Sequence, residues 1–376
     1  MRIIDLNDFR STSEPAVVAL DLVDAAVRDV IAAVRAEGDA AVRRFAAKFD
    51  RSSPEKLEVP KSVAERALSD LSRTDPELVA ALEYARGNID RFAQAQRAQF
   101  KDFEIEMGSG LVNGQRVIPV EKAAVYVPAG RFPLVSTVLM GVIPAKAAGV
   151  AEVVVVSAPL ADGLPDSRIM AAAALAGADR IFAVGGAQAI AALAIGTASI
   201  PRVDVVVGPG NKYVAAAKRM LYGEVGIDFI AGPTDVLVIA DAEADPDLVA
   251  ADLLAQAEHD PDARARAMVP SRAFAESVSA AVAHRLVDLS TADAARASLD
   301  AGGVIIVYAD RVDAVAAADR IAPEHLELHV ADAASWAPLF RNYGSLFIGA
   351  ASAEVLGDYS AGINHTLPTS GSARFT

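Results

Sequence analysis

From Ala123 onward, short continuous apolar runs alternate with longer stretches of helical character. Ala124-Val125-Tyr126-Val127 is followed by an apolar helical stretch to Ala148, then Val153-Val154-Val155-Val156, a helix to Ala176, and Arg180 to Val184. Strand-length Val/Ile runs without polar alternation suit a parallel sheet covered on both faces. A second series opens at Val236-Leu237-Val238-Ile239 and continues with a helix begun by Asp245-Pro246. Strands near Arg266 to Val269 and Val304 to Val307, a helix from about Val312 and a strand at Ser345 to Ile348 complete it. The pattern predicts an α/β fold of two Rossmann-like parallel-sheet lobes around a cleft, at residues 123–235 and 236–376.

Residues 1–122 have a different rhythm. Pro15 suits a helix start, Ser62-Val63-Ala64-Glu65 has the form of a capping box, and Asp75-Pro76 opens an amphipathic stretch to about Phe100. Alternation then replaces the helical period, with Phe103, Ile105 and Met107 on one side, a turn near Asn113-Gly114, and a return through Val117 to Val120. The expectation is a helical N-terminal region that ends in a hairpin and packs on the second lobe.

Composition narrows the classes. A chain of 376 residues with 53% hydrophobic and 22% charged positions can bury more than one core, which excludes extended disorder. The formal net charge of −14, with no basic run, makes nucleic acid and anionic membranes poor partners. With no cysteine, disulfides, thiol nucleophiles and thiolate metal sites are excluded. The acidic start Met1-Arg2-Ile3-Ile4-Asp5 does not read as a signal peptide, and no apolar run reaches membrane-spanning length. A cytoplasmic protein is expected.

Candidate chemistry collects in a few polar segments. Loops follow the first series of strands at Pro128-Ala129-Gly130, Gly185-Gly186-Ala187-Gln188 and Gly208-Pro209-Gly210-Asn211. None has the dinucleotide spacing G-x-G-x-x-G; they read either as tight turns or as loops whose amides face a pyrophosphate. Gln256 and His259 lie three apart near a helix end and leave one face together. With Asp358 they offer one imidazole and two oxygen donors, a set that suits zinc or another borderline divalent ion. A helix-end histidine bonded to a carbonyl and an aspartate in a turn are the structural alternatives.

Glu324 and His325 follow Pro323 at a strand entrance, where a histidine can accept a proton and a carboxylate can activate water. Of the five histidines, His259, His325 and His365 occupy polar segments bounded by Gly or Pro, whereas His284 and His329 read as surface or strand residues.

Several of these segments together resemble the histidinol dehydrogenase family. The resemblance runs in order through Val125-Tyr126-Val127-Pro128-Ala129-Gly130, Ser136-Thr137-Val138-Leu139-Met140, Gly185-Gly186-Ala187-Gln188, Gly208-Pro209-Gly210-Asn211, Gln256-Ala257-Glu258-His259, Pro323-Glu324-His325-Leu326 and Asn364-His365-Thr366-Leu367-Pro368. It implies an NAD-dependent, zinc-containing homodimer that oxidises L-histidinol through L-histidinal to L-histidine. It also implies zinc on Gln256, His259 and Asp358, with His325 as the base and Glu324 activating the hydrating water. Tyr126, Gln188 and Asn211 would contact NAD. Thr234 and His365 would lie at the substrate, together with Gln256, His259, His325 and Asp358.

Three departures from the family pattern accompany the resemblance. Ala129 stands where the family usually has a second glycine, and Thr234 where it commonly has serine. The family's further C-terminal segment, which supplies a glutamate and another histidine ligand to the neighbouring subunit, would follow Thr376; the expectation is either a shortened chain, which should bind zinc weakly, or a three-ligand or empty site. Relatives on this scaffold act on other alcohols, including sulfonated diols, so a paralogue oxidising a sulfopropanediol is the near alternative. A non-catalytic two-lobed solute-binding protein would leave the Glu324-His325 pair without a purpose.

Overall fold

Runs of Val and Ile form two separate six-stranded sheets in the computed structural model, which describes residues 1–12, 21–129 and 132–375. The chain divides into two compact units. One comprises Met1–Ala19, Ala231–Gly357 and Leu367–Thr376; the other comprises Leu20–Ile230 and Asp358–Thr366.

In the first unit the strands lie in the order Arg2–Asp5, Val304–Val307, Arg264–Val269, Asp235–Ala240, His325–His329, Ser345–Ile348, and every pairing is parallel. Val236, Leu237, Val238 and Ile239 are all fully buried, which is why their strand shows no alternation. Val236, Val238, Ala265 and Ala267 face one core with Val249, Leu253 and Val278. Leu237, Ile239, Leu326 and Leu328 face another with Ala314, Ala317 and Ala318. Each fully buried Val or Leu contributes about 1.5–3 kcal/mol relative to exposure.

The sheet of the second unit runs Glu58–Val59, Arg180–Ala183, Glu152–Ser157, Lys122–Tyr126, Val205–Val207, Gly226–Ile227, parallel except for the short antiparallel edge Glu58–Val59. The helix Val135–Ala148 buries Thr137, Val138, Leu139, Met140, Val142 and Ile143, leaving no polar stripe. Such a helix needs cover on the side away from the sheet. The helix Pro76–Arg97 is among its neighbours, through Leu82, Ala85 and Ile89 in the same core.

This corrects the domain expectation. The helices between Asp24 and Arg97 belong to the unit of the first series of strands, not the second: Lys61–Thr74 and Pro76–Arg97 complete the core under Val135–Ala148, and Asp24–Glu37 and Asp39–Phe49 pack against Gly186–Ile195. Only Arg2–Asp5 and Leu6–Thr12 go with the second series, the strand through its ladder with Val304–Val307. The crossover between units falls at Ile230 and Ala231 rather than at 235, and Asp358–Thr366 returns to the second unit.

Three local readings change as well. The hairpin pairs Phe103–Gly108 with Leu111–Gln115, so Asn113-Gly114 lies within a strand and Val117 to Val120 outside it. The turn sits at Ser109-Gly110, both at positive φ (53° and 77°), which the glycine adopts without strain. The helix Lys61–Thr74 begins one residue before Ser62, with Pro60 at its N-cap and no side-chain capping bond, so the capping box is not formed. By contrast Asp75 accepts from Leu78 N and Asp245 from Asp247 N, as helix-opening aspartates should. Pro15 and Gly130 lie outside the described residues. Among those described, no helix is long and apolar enough to cross a membrane.

Candidate active site

Parallel pairing puts the entrances of the strands Asp235–Ala240 and His325–His329 side by side, with Val236 in register with His325. The residues just before each strand interlock. Thr234 donates its hydroxyl hydrogen to Glu324 Oε2 at 2.6 Å, Asp235 N donates to the same oxygen at 3.1 Å, and Glu324 N donates to Asp235 Oδ1 at 3.2 Å. Burial raises the Asp235 carboxyl above its usual range, against the lowering effect of Arg266 at 3.4 Å. Glu324 and His325 are both buried.

The helix Pro246–Ala257 points its last turn at this entrance. Gln256 Nε2 donates to Thr234 Oγ1 at 3.0 Å, and Gln256 Oε1 lies 3.1 Å from His325 Nδ1. The same imidazole nitrogen is 3.3 Å from the Asp235 carbonyl. The Asp235 carbonyl and the Gln256 amide oxygen can only accept, so Nδ1 carries the hydrogen and Nε2 keeps its lone pair as a proton acceptor.

His259 follows in the turn after the helix, where its N–H bonds to Gln256 O, and its Nδ1 stands 3.5 Å from Gln256 Nε2. The expected Gln256 and His259 are thus adjacent, although His259 leaves from a turn rather than a helix face.

The short helix Glu354–Tyr359 adds a carboxylate that the sequence reading missed. Glu354 is buried, with Oε1 3.7 Å from His325 Nδ1, and it offers a ligand atom within 4.8 Å of one from His259. Asp358 is one turn farther along the same helix and so shares its face. Burial pushes the Asp358 carboxyl up to about 6. Imidazole, carboxylate and amide donors so grouped fit a borderline divalent ion such as zinc.

The second unit holds a cavity of about 700 Å³ at the carboxyl ends of its strands. Tyr126, Gln188 and Asn211 line it with Asp50, Phe49 and Tyr213. Tyr126 OH accepts from Gly186 N at 3.0 Å, and burial raises this phenol to about 12. Asp50 Oδ2 accepts from Gly185 N at 3.1 Å and from Gln188 Nε2 at 3.4 Å; burial raises its carboxyl in spite of these donors. Asn211 Oδ1 caps the helix Lys212–Leu221 through Tyr213 N and Val214 N, so the turn reading of this loop holds in part.

Gly208, at φ 110°, packs so closely that a Cβ would lie 2.2 Å from the Tyr126 carbonyl oxygen. Lys218 Nζ, itself buried, donates to Gly208 O at 3.0 Å and pairs with Asp228, which fastens the loop.

The structure brings Thr234, Gln256, His259, Glu324 and His325 together in one unit, and Tyr126, Gln188 and Asn211 in the other. His365 lies in the stretch Asp358–Thr366, beside Asn364, whose amide donates to Met140 O at 3.0 Å. Asp50 left no local signal, since its partners are more than 130 residues away. Glu354 was marked only by its i, i+4 relation to Asp358. His329 was read as a surface or strand residue; it is a buried strand end, 3.1 Å from Asp252 and 3.5 Å from Glu327. The alternation His325-Leu326-Glu327-Leu328-His329 was the available clue.

Comparison with known proteins gives concordant results. The family model described as histidinol dehydrogenase matches residues 15–376. The histidinol dehydrogenase of Pseudomonas aeruginosa is 48% identical over 362 residues, covering 96% of this chain and 81% of that protein. The Thermus thermophilus enzyme of the same name is 49% identical, covering 94% and 82%. The crystal structure of histidinol dehydrogenase from Elizabethkingia anophelis superposes with a TM-score of 0.93 at 33% identity, covering 100% of this chain and 86% of that one.

Proposed function

Because the chain belongs to the histidinol dehydrogenase family, it is an oxidoreductase that converts histidinol in histidine biosynthesis, and we propose that it does so at a zinc site with NAD as hydride acceptor. Gln256, His259, Glu354 and Asp358 would hold zinc. Tyr126, Gln188 and Asn211 would hold NAD in the 700 Å³ cavity. Bound, zinc supplies polarisation of the substrate oxygen and NAD supplies the hydride acceptor for both oxidation steps.

The observation that carries this reading is the environment of His325. Its Nδ1–H is committed to Gln256 Oε1 and the Asp235 carbonyl, so Nε2 takes the hydroxyl proton of the alcohol as hydride leaves the carbon. Glu324, held by Thr234 and Asp235 N, takes a proton from the water that adds to the aldehyde. The resulting hydrate again presents an O–H and a C–H to the same residues, and a second oxidation gives the carboxylate. Thr234, Gln256, His259, His325, Asp358 and His365 would contact substrate. A cytoplasmic homodimer is the assembly that accompanies this reading. Neither the sulfopropanediol nor the solute-binding alternative is supported by the relatives.

The test is NADH formation by zinc-supplied protein with L-histidinol, beside His325→Gln and a panel of small alcohols. Histidine release that collapses in the variant supports the proposal. Reduction of NAD by another alcohol, with none by histidinol, would overturn the substrate.

A further inference from the structure

The helix Glu354–Tyr359 has only six residues, far below the length at which a helix persists by itself. Yet it presents Glu354 and Asp358, so something outside it must fix where it starts. The first backbone N–H of a helix has no partner within the helix. Here that N–H belongs to Glu354, and it donates to Glu327 Oε1 at 2.7 Å. Glu327 is wholly buried in the middle of the strand His325–His329.

Period-two alternation puts His325, Glu327 and His329 on one face of that strand, with Leu326 and Leu328 on the other, in the core. The polar face meets the helix Pro246–Ala257, whose Asp252 and Gln256 are one turn apart. Gln256 meets His325 at one end, and Asp252 meets His329 at the other, at 3.1 Å. His329 Nε2 also stands 3.5 Å from Glu327 Oε2. A buried carboxylate is retained only when such partners surround it.

We propose that Glu327 is the positioning residue of this site. Its carboxylate fastens the first turn of the helix Glu354–Tyr359, so that one rigid strand sets both the His325 imidazole and the carboxylates of Glu354 and Asp358, while His329, itself paired with Asp252, faces Glu327 from the other side. The effect on metal rests on the zinc reading above; the fastening of the helix does not. Residues that orient metal ligands from behind typically change affinity about 10–100-fold when lost.

Two conservative changes separate the fastening bond from the charge. Glu327→Gln keeps an acceptor oxygen at full reach and loses the charge, whereas Glu327→Asp keeps the charge and withdraws the oxygen by one methylene. Hydrogen exchange of the peptide covering residues 352–360, measured on metal-free protein, reads the fastening directly. Zinc affinity, by competition with a chromogenic chelator, reads its consequence.

Glu327→Asp is expected to exchange this helix at least 10-fold faster and to bind zinc about 10–100-fold more weakly, with Glu327→Gln near the parent in both. The reverse order, with Glu327→Asp near the parent and Glu327→Gln impaired, would overturn the proposal, as would unchanged exchange in both. Absence of zinc binding in the parent would refute the zinc reading alone, and exchange would still decide the role of Glu327. Urea unfolding of each variant identifies a change that merely loosens the whole unit, because exchange then rises in the strand Asp235–Ala240 as well.

Discussion

Thr234 and Glu324 are joined by a 2.6 Å hydrogen bond between residues ninety positions apart, and the same threonine hydroxyl accepts from Gln256 Nε2. One hydroxyl therefore couples the carboxylate to the helix end that carries the amide. A hydrogen bond to a charged group is worth about 1.5–3 kcal/mol. Thr234→Val is expected to lower kcat/KM for histidinol about 10–100-fold, and Thr234→Ser to stay within about 3-fold because the hydroxyl is kept. Steady-state kinetics of the two variants checks this.

His325→Gln would remove the proposed proton acceptor and leave the proposed zinc ligands in place. Loss of a general base costs about 10²–10⁴-fold. The expected result is a fall of that size in kcat with zinc affinity within about 3-fold of the parent. An equal loss of zinc affinity would instead make His325 a metal ligand.

His329 gives the first unit a pH dependence. Burial opposes its charge, but Asp252 and Glu327 outweigh burial and raise it to about 9. A histidine raised above its unfolded value of about 6.5 adds stability that is complete below that pH and disappears as pH rises to about 9. The difference is on the order of 3 kcal/mol. Urea unfolding between pH 6 and 9.5 should show the parent losing stability with rising pH and His329→Gln losing much less.

Gly208→Ala tests the proposal that the cavity beside Tyr126 holds NAD. Its methyl group would enter the Tyr126 carbonyl at a positive φ that alanine disfavours, and overpacking of this kind costs about 1–3 kcal/mol. Weaker NAD binding by calorimetric titration is expected together with a lower unfolding midpoint. A variant with parent-like NAD affinity would separate the loop from the cofactor.

Much of this could be read from the sequence because the relevant signals are local. Valine runs with no alternation, such as Val153 to Val156, mark strands covered on both sides, and Asp75-Pro76 and Asp245-Pro246 mark helix starts. Glu324 and His325 were legible as a pair because they are adjacent at a strand entrance. Glu327 and Glu354 were not, since their relation spans 27 positions and depends on which strand face meets which helix. Asp50 likewise reaches Gly185 only through the packing of the early helices on the second unit. The hairpin turn was misplaced because Asn-Gly is the stronger signal in isolation, while Ser109-Gly110 makes the actual reversal.

The ladder between Arg2–Asp5 and Val304–Val307 makes the order of synthesis matter. These partners are about 300 residues apart in the chain, a separation that takes about 15–60 s to translate. Throughout that interval Ile3 and Ile4 have no strand to join, while Leu20–Ile230 has nearly all of its own unit to fold with. A nascent chain therefore carries one nearly complete unit together with an unpaired apolar segment, and the other unit closes only when its oldest strand meets one of its newest.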